Sequence, residues 1–182
     1  SKCIKCFIMK LASHNSLSYY PPQWWVVAFN WMARCQSLTL EQQYAKGVRL
    51  FDIRIKIVND KVCSGHGIAT YKVDFDEIFS FLNNKRDCSV RIILESGNDT
   101  RFRIFVEYLM KIYQNIEYTG GQRKRDWKKM INLPEADITH LYWMHKKWWM
   151  IPFPYLFAKR HNNKENQRYL NDSSWSMFDF IK

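Results

Sequence analysis

Residues 50–56 read LFDIRIK, and the fold turns on how that stretch is understood. Four of its seven side chains are large and apolar, as in a strand covered on both faces. Strand side chains alternate, so Asp52 and Arg54 share one face while Phe51, Ile53 and Ile55 share the other. A carboxylate and a guanidinium withdrawn from water are costly unless they neutralise each other or a ligand. Two readings stay open: an internal ion pair, or half of an active site.

The flanking sequence places this strand in an alternating pattern. Upstream, "TLEQQYAKG" (39–47) starts with the capping-box pair Thr39 and Gln42 and stops at Gly47, predicting a short helix that feeds a strand over 48–57. Downstream, "VNDKV" (58–62) predicts a hairpin leading to "SGHGI". Asp74 with Glu77 opens a helix carrying Phe75, Ile78, Phe79 and Leu82 at helical spacing. "SVRIILES" (89–96) reads as a second buried strand, and Thr100 as the cap of "RFRIFVEYLMKIY". Residues 4–12 read as a first strand ending at "SHNS". Pro21 and Pro22 then set a turn before "WWVVAFNWMARC" (24–35), apolar enough for a buried helix. "SSWSMFDFIK" (173–182) reads as a last buried strand containing Asp179. Strands alternating with helices predict an α/β class with a parallel sheet, in one domain over 1–182. His14, Asp52, Arg54, His66, Glu95 and Asp179 recur at strand ends, where open α/β sheets and (β/α) barrels gather their sites.

Composition bounds the function. With 47% hydrophobic residues in 182 the chain is neither disordered nor short of a core. No run reaches the roughly 18–20 apolar residues of a spanning helix. "LYWMHKKWWMIPFPYLF" is interrupted by His145, Lys146, Lys147 and two prolines, and "SKCIKCFIMKLAS" reads as a strand rather than a leader. A soluble or peripheral membrane protein is expected. The net charge of +11 calls for an anionic partner, lipid surface or nucleic acid. The five cysteines include one CxxC, Cys3 and Cys6, with no second pair at zinc-site spacing, so free structural thiols are expected.

His14 in "SHNS" and His66 in "SGHG" complete a possible constellation, with Gly65 and Gly67 allowing close backbone approach to a ligand. Each imidazole alone is better read as a satisfied structural group. Two imidazoles with an arginine and a buried carboxylate suit in-line displacement at a phosphodiester: one removes a proton, one supplies a proton, and the guanidinium neutralises charge on phosphorus oxygens.

The ordered motifs "SHNSLSYY", "GVRLFDIRI", "GHG" and "MFDFI" resemble the X domain of phosphatidylinositol-specific phospholipases C, most closely its bacterial, metal-independent branch. The resemblance covers residues 5–96 and the last strand, and little of 115–172. It implies a reduced or distorted TIM-type barrel, since 182 residues fall below the ~250 of a full one. It implies His14 as general base, His66 as general acid, Arg54 as the phosphate-stabilising cation, Asp52 as the supporting carboxylate and Asp179 as the partner holding His14. Asn15 and Glu95 are then expected at the substrate. The implied reaction cleaves a phospholipid headgroup, phosphatidylinositol first, to diacylglycerol and a cyclic or linear inositol phosphate. Asn15 departs from the Asp common in the bacterial branch. The calcium-dependent branch carries a carboxylate where Arg54 stands, and a cation there opposes Ca²⁺. No cofactor is therefore expected, the alternative being Ca²⁺ through Asn15, Asp52 and Glu95. Other readings are a phosphodiesterase on another lipid or glycerophosphodiester, or a binding module without turnover.

The stretch "YWMHKKWWMIPFPYLFAKRH" interleaves aromatic and basic residues. Aromatic runs belong to cores or to bilayer headgroup levels. On the second reading Trp143, Trp148 and Trp149 dock on an anionic phospholipid membrane, with no nucleic acid expected as partner.

Overall fold

The computed structural model describes residues 10–144, 146–168 and 173–182. It is a mixed α/β fold whose sheet curls into a half-barrel. In chain order the elements are β1 (Leu11–Ser13), a 3-10 turn (Trp24–Phe29), α1 (Asn30–Ala33), α2 (Leu40–Ala45), β2 (Val48–Val58), β3 (Lys61–His66) and β4 (Ala69–Tyr71). There follow α3 (Phe75–Lys85), β5 (Ser89–Ser96), α4 (Asp99–Ile112), β6 (Glu117–Arg123), β7 (Ile138–His140), a second 3-10 turn (Trp148–Met150), α5 (Pro154–Arg168) and β8 (Trp175–Phe178).

Six strands run parallel in the spatial order β7-β8-β1-β2-β5-β6, and among the described residues β6 and β7 do not pair to close the ring. The long β2 pairs with β1 along its first half and with antiparallel β3 along its second. The β2–β3 hairpin turns through Asn59 and Asp60, both at positive φ as the right-handed twist of the strands requires. The Thr39–Gln42 capping box forms as the sequence predicts, and Asp74 accepts from the Asp76 and Glu77 N–H groups.

The two faces of β2 divide as the alternation demands. Phe51, Ile53 and Ile55, with Val90, Ile92 and Leu94 of β5, pack outward against Phe79 and Leu82 of α3 and Phe102, Val106 and Leu109 of α4. On the inner face Leu50 joins Ala12 and Met177 in an apolar floor, and Asp52, Arg54 and Lys56 rise above it, all buried. The helices thus hold the sheet from outside while the curl gathers polar side chains inside.

The structure differs from the sequence reading at several elements. Residues 24–33 are a 3-10 turn and one helical turn with most rings in solvent, Trp24 being 86% exposed, and not a buried helix. Composition predicts a core there, but Pro22 bridges to Tyr71 of β4, and Val26 and Ala33 are the side chains the segment buries, against Ala69 and Tyr71. Asn98, rather than Thr100, caps α4, its side chain accepting from Arg101 N–H. Asp179 lies just past the end of β8. The strand expected over 4–12 is seen as Leu11–Ser13; residues 1–9 lie outside the described residues, as do Cys3 and Cys6.

Candidate active site

Register does most of the assembly. β1 and β8 align Ser13 with Phe178, so the residues that follow, His14 and Asp179, leave the sheet side by side. His14 Nδ1 lies 2.7 Å from Asp179 Oδ1. β2 and β5 align Asp52 with Arg91, whose guanidinium donates to Asp52 Oδ1 at 3.0 Å. Two residues along the same face, Arg54 Nε donates to Asp52 Oδ2 at 2.8 Å, and Asn15 N–H donates to that oxygen at 3.0 Å. His14 Nε2 stands 3.9 Å from it.

His66 ends β3, its Nδ1 3.0 Å from the Ala33 carbonyl, which fixes the protonated Nδ1 tautomer and leaves Nε2 free. Glu95 steadies this side: it accepts from Gly67 N–H at 2.9 Å, pairs with Lys124 and lies 3.5 Å from Arg54. Gly65 serves a different end from the one its sequence predicts. A side chain there would strike Lys56 and the Ala69 carbonyl, so the glycine makes room for lysine rather than ligand.

The two imidazoles meet edge to face with ring centroids 5.6 Å apart. They line one cavity of about 880 Å³ together with Arg54, Asp179, Arg91 and Tyr142. Asp52, Asn15 and Glu95 stand behind its wall. The structure therefore brings His14, His66, Arg54 and Asp179 to the cavity and leaves the expected substrate contacts Asn15 and Glu95 as supports. Arg91, Tyr142, Lys124 and Cys35 were not foreseen. Tyr142 stacks flat on His14 at 3.6 Å, covering one face of the imidazole.

Burial governs the charge states. It holds His14 well below its ordinary pKa, with Asp52 pulling the other way. It pushes His66 down to about 4 against the attraction of Glu95. Burial raises Asp179 to about 7, with Lys146 opposing. For Asp52 burial is overcome: Arg54 and Arg91 hold its carboxyl far below the usual range. The His14–Asp179 pair is thus neutral in acid, and its deprotonation leaves Nδ1–H donating to a carboxylate and Nε2 ready to accept a proton.

The residues do not fit the calcium alternative. Asp52 already carries two guanidiniums and Glu95 a lysine and an arginine, so a divalent cation between them would displace three positive groups. Asn15 Oδ1, buried and without a hydrogen-bond partner among the described residues, is one neutral donor and cannot build a site alone.

With this geometry in place, comparison with known proteins separates fold from family. The structure is similar to that of the phosphatidylinositol-specific phospholipase C from Listeria monocytogenes, with a TM-score of 0.60 over 97% of this chain and 89% of that chain. The likeness is one of fold. Identity is 13%, no family model matches the chain, and no curated protein matches it.

Around the mouth, aromatic rings face solvent. Trp143 is 53% exposed and lines the cavity rim; Trp148 and Trp149 are exposed beyond it. Trp31 stacks on Phe153 at 5.3 Å, joining the 24–33 segment to the 148–156 segment as one apolar surface. Among the described residues no helix is long and apolar enough to cross a membrane.

Proposed function

We propose that this chain belongs with the phosphatidylinositol-specific phospholipases C and cleaves a phospholipid headgroup phosphodiester, phosphatidylinositol first, without a metal. The observation that carries the reading is the convergence of His14 and His66 on one cavity with Arg54 in its wall. In the reaction, His14 Nε2 takes the proton of the inositol 2-hydroxyl, held in the accepting tautomer by Asp179. That oxygen attacks phosphorus in line. Arg54 neutralises the charge gathering on the phosphorus oxygens, and Asp52 fixes the guanidinium. His66, protonated once the substrate phosphate brings its negative charge alongside, gives the Nε2 proton to the departing diacylglycerol oxygen. A cyclic inositol phosphate results, which the same pair can open with water.

Inositol is favoured by a wall offering both donors and acceptors to a polyol: Arg91, Lys124 and Gln122, with Glu135 bonded to Gln122 at 2.6 Å. The exposed rings of 24–33 and 143–156, with a net charge of +11, support docking on an anionic bilayer with the mouth toward the lipid. The test is cleavage of phosphatidylinositol vesicles with and without chelator, products resolved by phosphorus NMR. Cyclic inositol phosphate that survives chelation and vanishes in His14→Ala and His66→Ala is the expected result. Linear phosphate from other headgroups alone overturns the inositol reading. Absence of turnover on any phospholipid, with vesicle binding intact, overturns the enzyme in favour of a binding module.

A further inference from the structure

Cys35 is the nucleophilic side chain that the proposed reaction leaves unused, and it sits inside the reacting cavity. Its Sγ is 3.9 Å from His66 Nδ1 and 3.9 Å from Asn15 Nδ2. An imidazole nitrogen of His14, the Cys35 sulfur and a carboxylate oxygen of Asp179 all lie within 4.8 Å of one another, each residue buried. Nitrogen, sulfur and oxygen in one cluster form the mixed donor set that zinc and cadmium prefer, unlike the all-oxygen set of calcium. Tetrahedral zinc, with bonds of ~2.0–2.3 Å, spaces its donors by roughly 3.5 Å. Small side-chain rotations of about 1 Å therefore close the cluster on an ion, and all three residues line the cavity from which it would enter.

We infer that His14, Cys35 and Asp179 form an inhibitory site for a thiophilic divalent cation, zinc or cadmium. Coordination releases the Cys35 thiol proton to solvent, and the proton held between His14 Nδ1 and Asp179 moves to His14 Nε2, so that the Nδ1 lone pair and an Asp179 oxygen bind the ion in place of their hydrogen bond. The base is then unavailable. Arg54 and Lys146 stand close and repel any cation, so sulfur rather than charge selects the ion, and Mg²⁺ and Ca²⁺ do not enter. That binding blocks turnover rests on the phosphodiesterase reading; the binding itself does not.

The experiment separates the two. In the full chain with Cys3, Cys6, Cys63 and Cys88 changed to Ser, cadmium titration is followed by thiolate-to-metal absorption. One equivalent should saturate the signal, and the further change Cys35→Ser should abolish it. Zinc should displace cadmium, and calcium in excess should not. No absorption with Cys35 as the sole thiol overturns the site. In wild type, whose folding is not in question, zinc should shift the His14 imidazole resonances at one equivalent; unmoved resonances also overturn it. If vesicle cleavage is observed, Cys35→Ser should raise the inhibitory zinc concentration by at least about 10-fold. Unchanged zinc inhibition in that variant overturns the regulatory claim alone.

Discussion

Changing Asp179 to Asn should strengthen the fold and disable the chemistry. The carboxyl is buried, and burial raises its pKa from 3.8 to about 7. Such an acid binds its proton more readily folded than unfolded. Its contribution to stability is therefore complete below pH 3.8 and is lost as pH rises through about 7. At ~1.4 kcal/mol per pH unit, ionising it inside the fold costs roughly 4 kcal/mol, of which somewhat more than a third is already spent at pH 5. Asn keeps the shape and does not titrate. The stability advantage of the variant over wild type should consequently grow by roughly 2–3 kcal/mol between pH 5 and pH 8, read by urea unfolding at both. Turnover should move the other way. An amide turned with its NH₂ toward His14 Nδ1 selects the tautomer whose Nε2 already carries a proton, and exchange of Asp for Asn behind a catalytic histidine costs about 10⁴-fold in kcat. A stability difference independent of pH, or a kcat within about tenfold of wild type, would refute the reasoning.

Three further outcomes are expected. The pH profile of kcat/KM should be bell-shaped, with one limb near 7 from the His14–Asp179 pair and one near 4 from His66, and a maximum at about pH 5.5. Productive molecules need the pair deprotonated and His66 protonated, so a profile still rising at pH 8 contradicts those assignments. Trp24→Ala and Trp148→Ala, at positions 86% and 81% exposed, should each weaken partition to anionic vesicles by about 10-fold. Hydrolysis of a monomeric short-chain substrate should be unchanged in both, and equal losses in the two assays would place the rings in the site instead. Gly120→Ala should lower unfolding stability by roughly 2 kcal/mol or more, because Gly120 has φ +88° and a Cβ there would sit 2.8 Å from the Ile92 carbonyl oxygen. An unaffected urea midpoint would show that the bulge relaxes freely.

How much was legible in the sequence depended on whether the signal was local. The parity of Asp52 and Arg54 in an apolar strand placed them on the inner face, and the capping residues Thr39 and Asp74 placed two helix starts. Arg91 follows the same inward alternation as Asp52 and could have been found by it; the apolar weight of "SVRIILES" hid it among four hydrophobes. β6 was missed because "EYTGGQR" carries two glycines, which read as a break. In the fold they form a bulge, where the register with β5 shifts between Ile92 and Ile93. Tyr142 and Cys35 reach His14 from distant parts of the chain, and no spacing announces that. The rings of 24–33 were misplaced because composition counts apolar side chains without saying which way they face.

The floor of Ala12, Leu50 and Met177 has an electrical consequence. Above it stand four cations, Arg54, Lys56, Arg91 and Lys124, against three carboxylates, Asp52, Glu95 and Asp179, so that even with Asp179 ionised one positive charge is in excess in a pit closed beneath by hydrocarbon. Hydrocarbon polarises weakly, so field lines from that excess leave chiefly through the open top, where water admits them. The barrel therefore acts as a lens, beckoning anions from beyond contact range, and its capture rate should fade as added salt shortens the reach of the field.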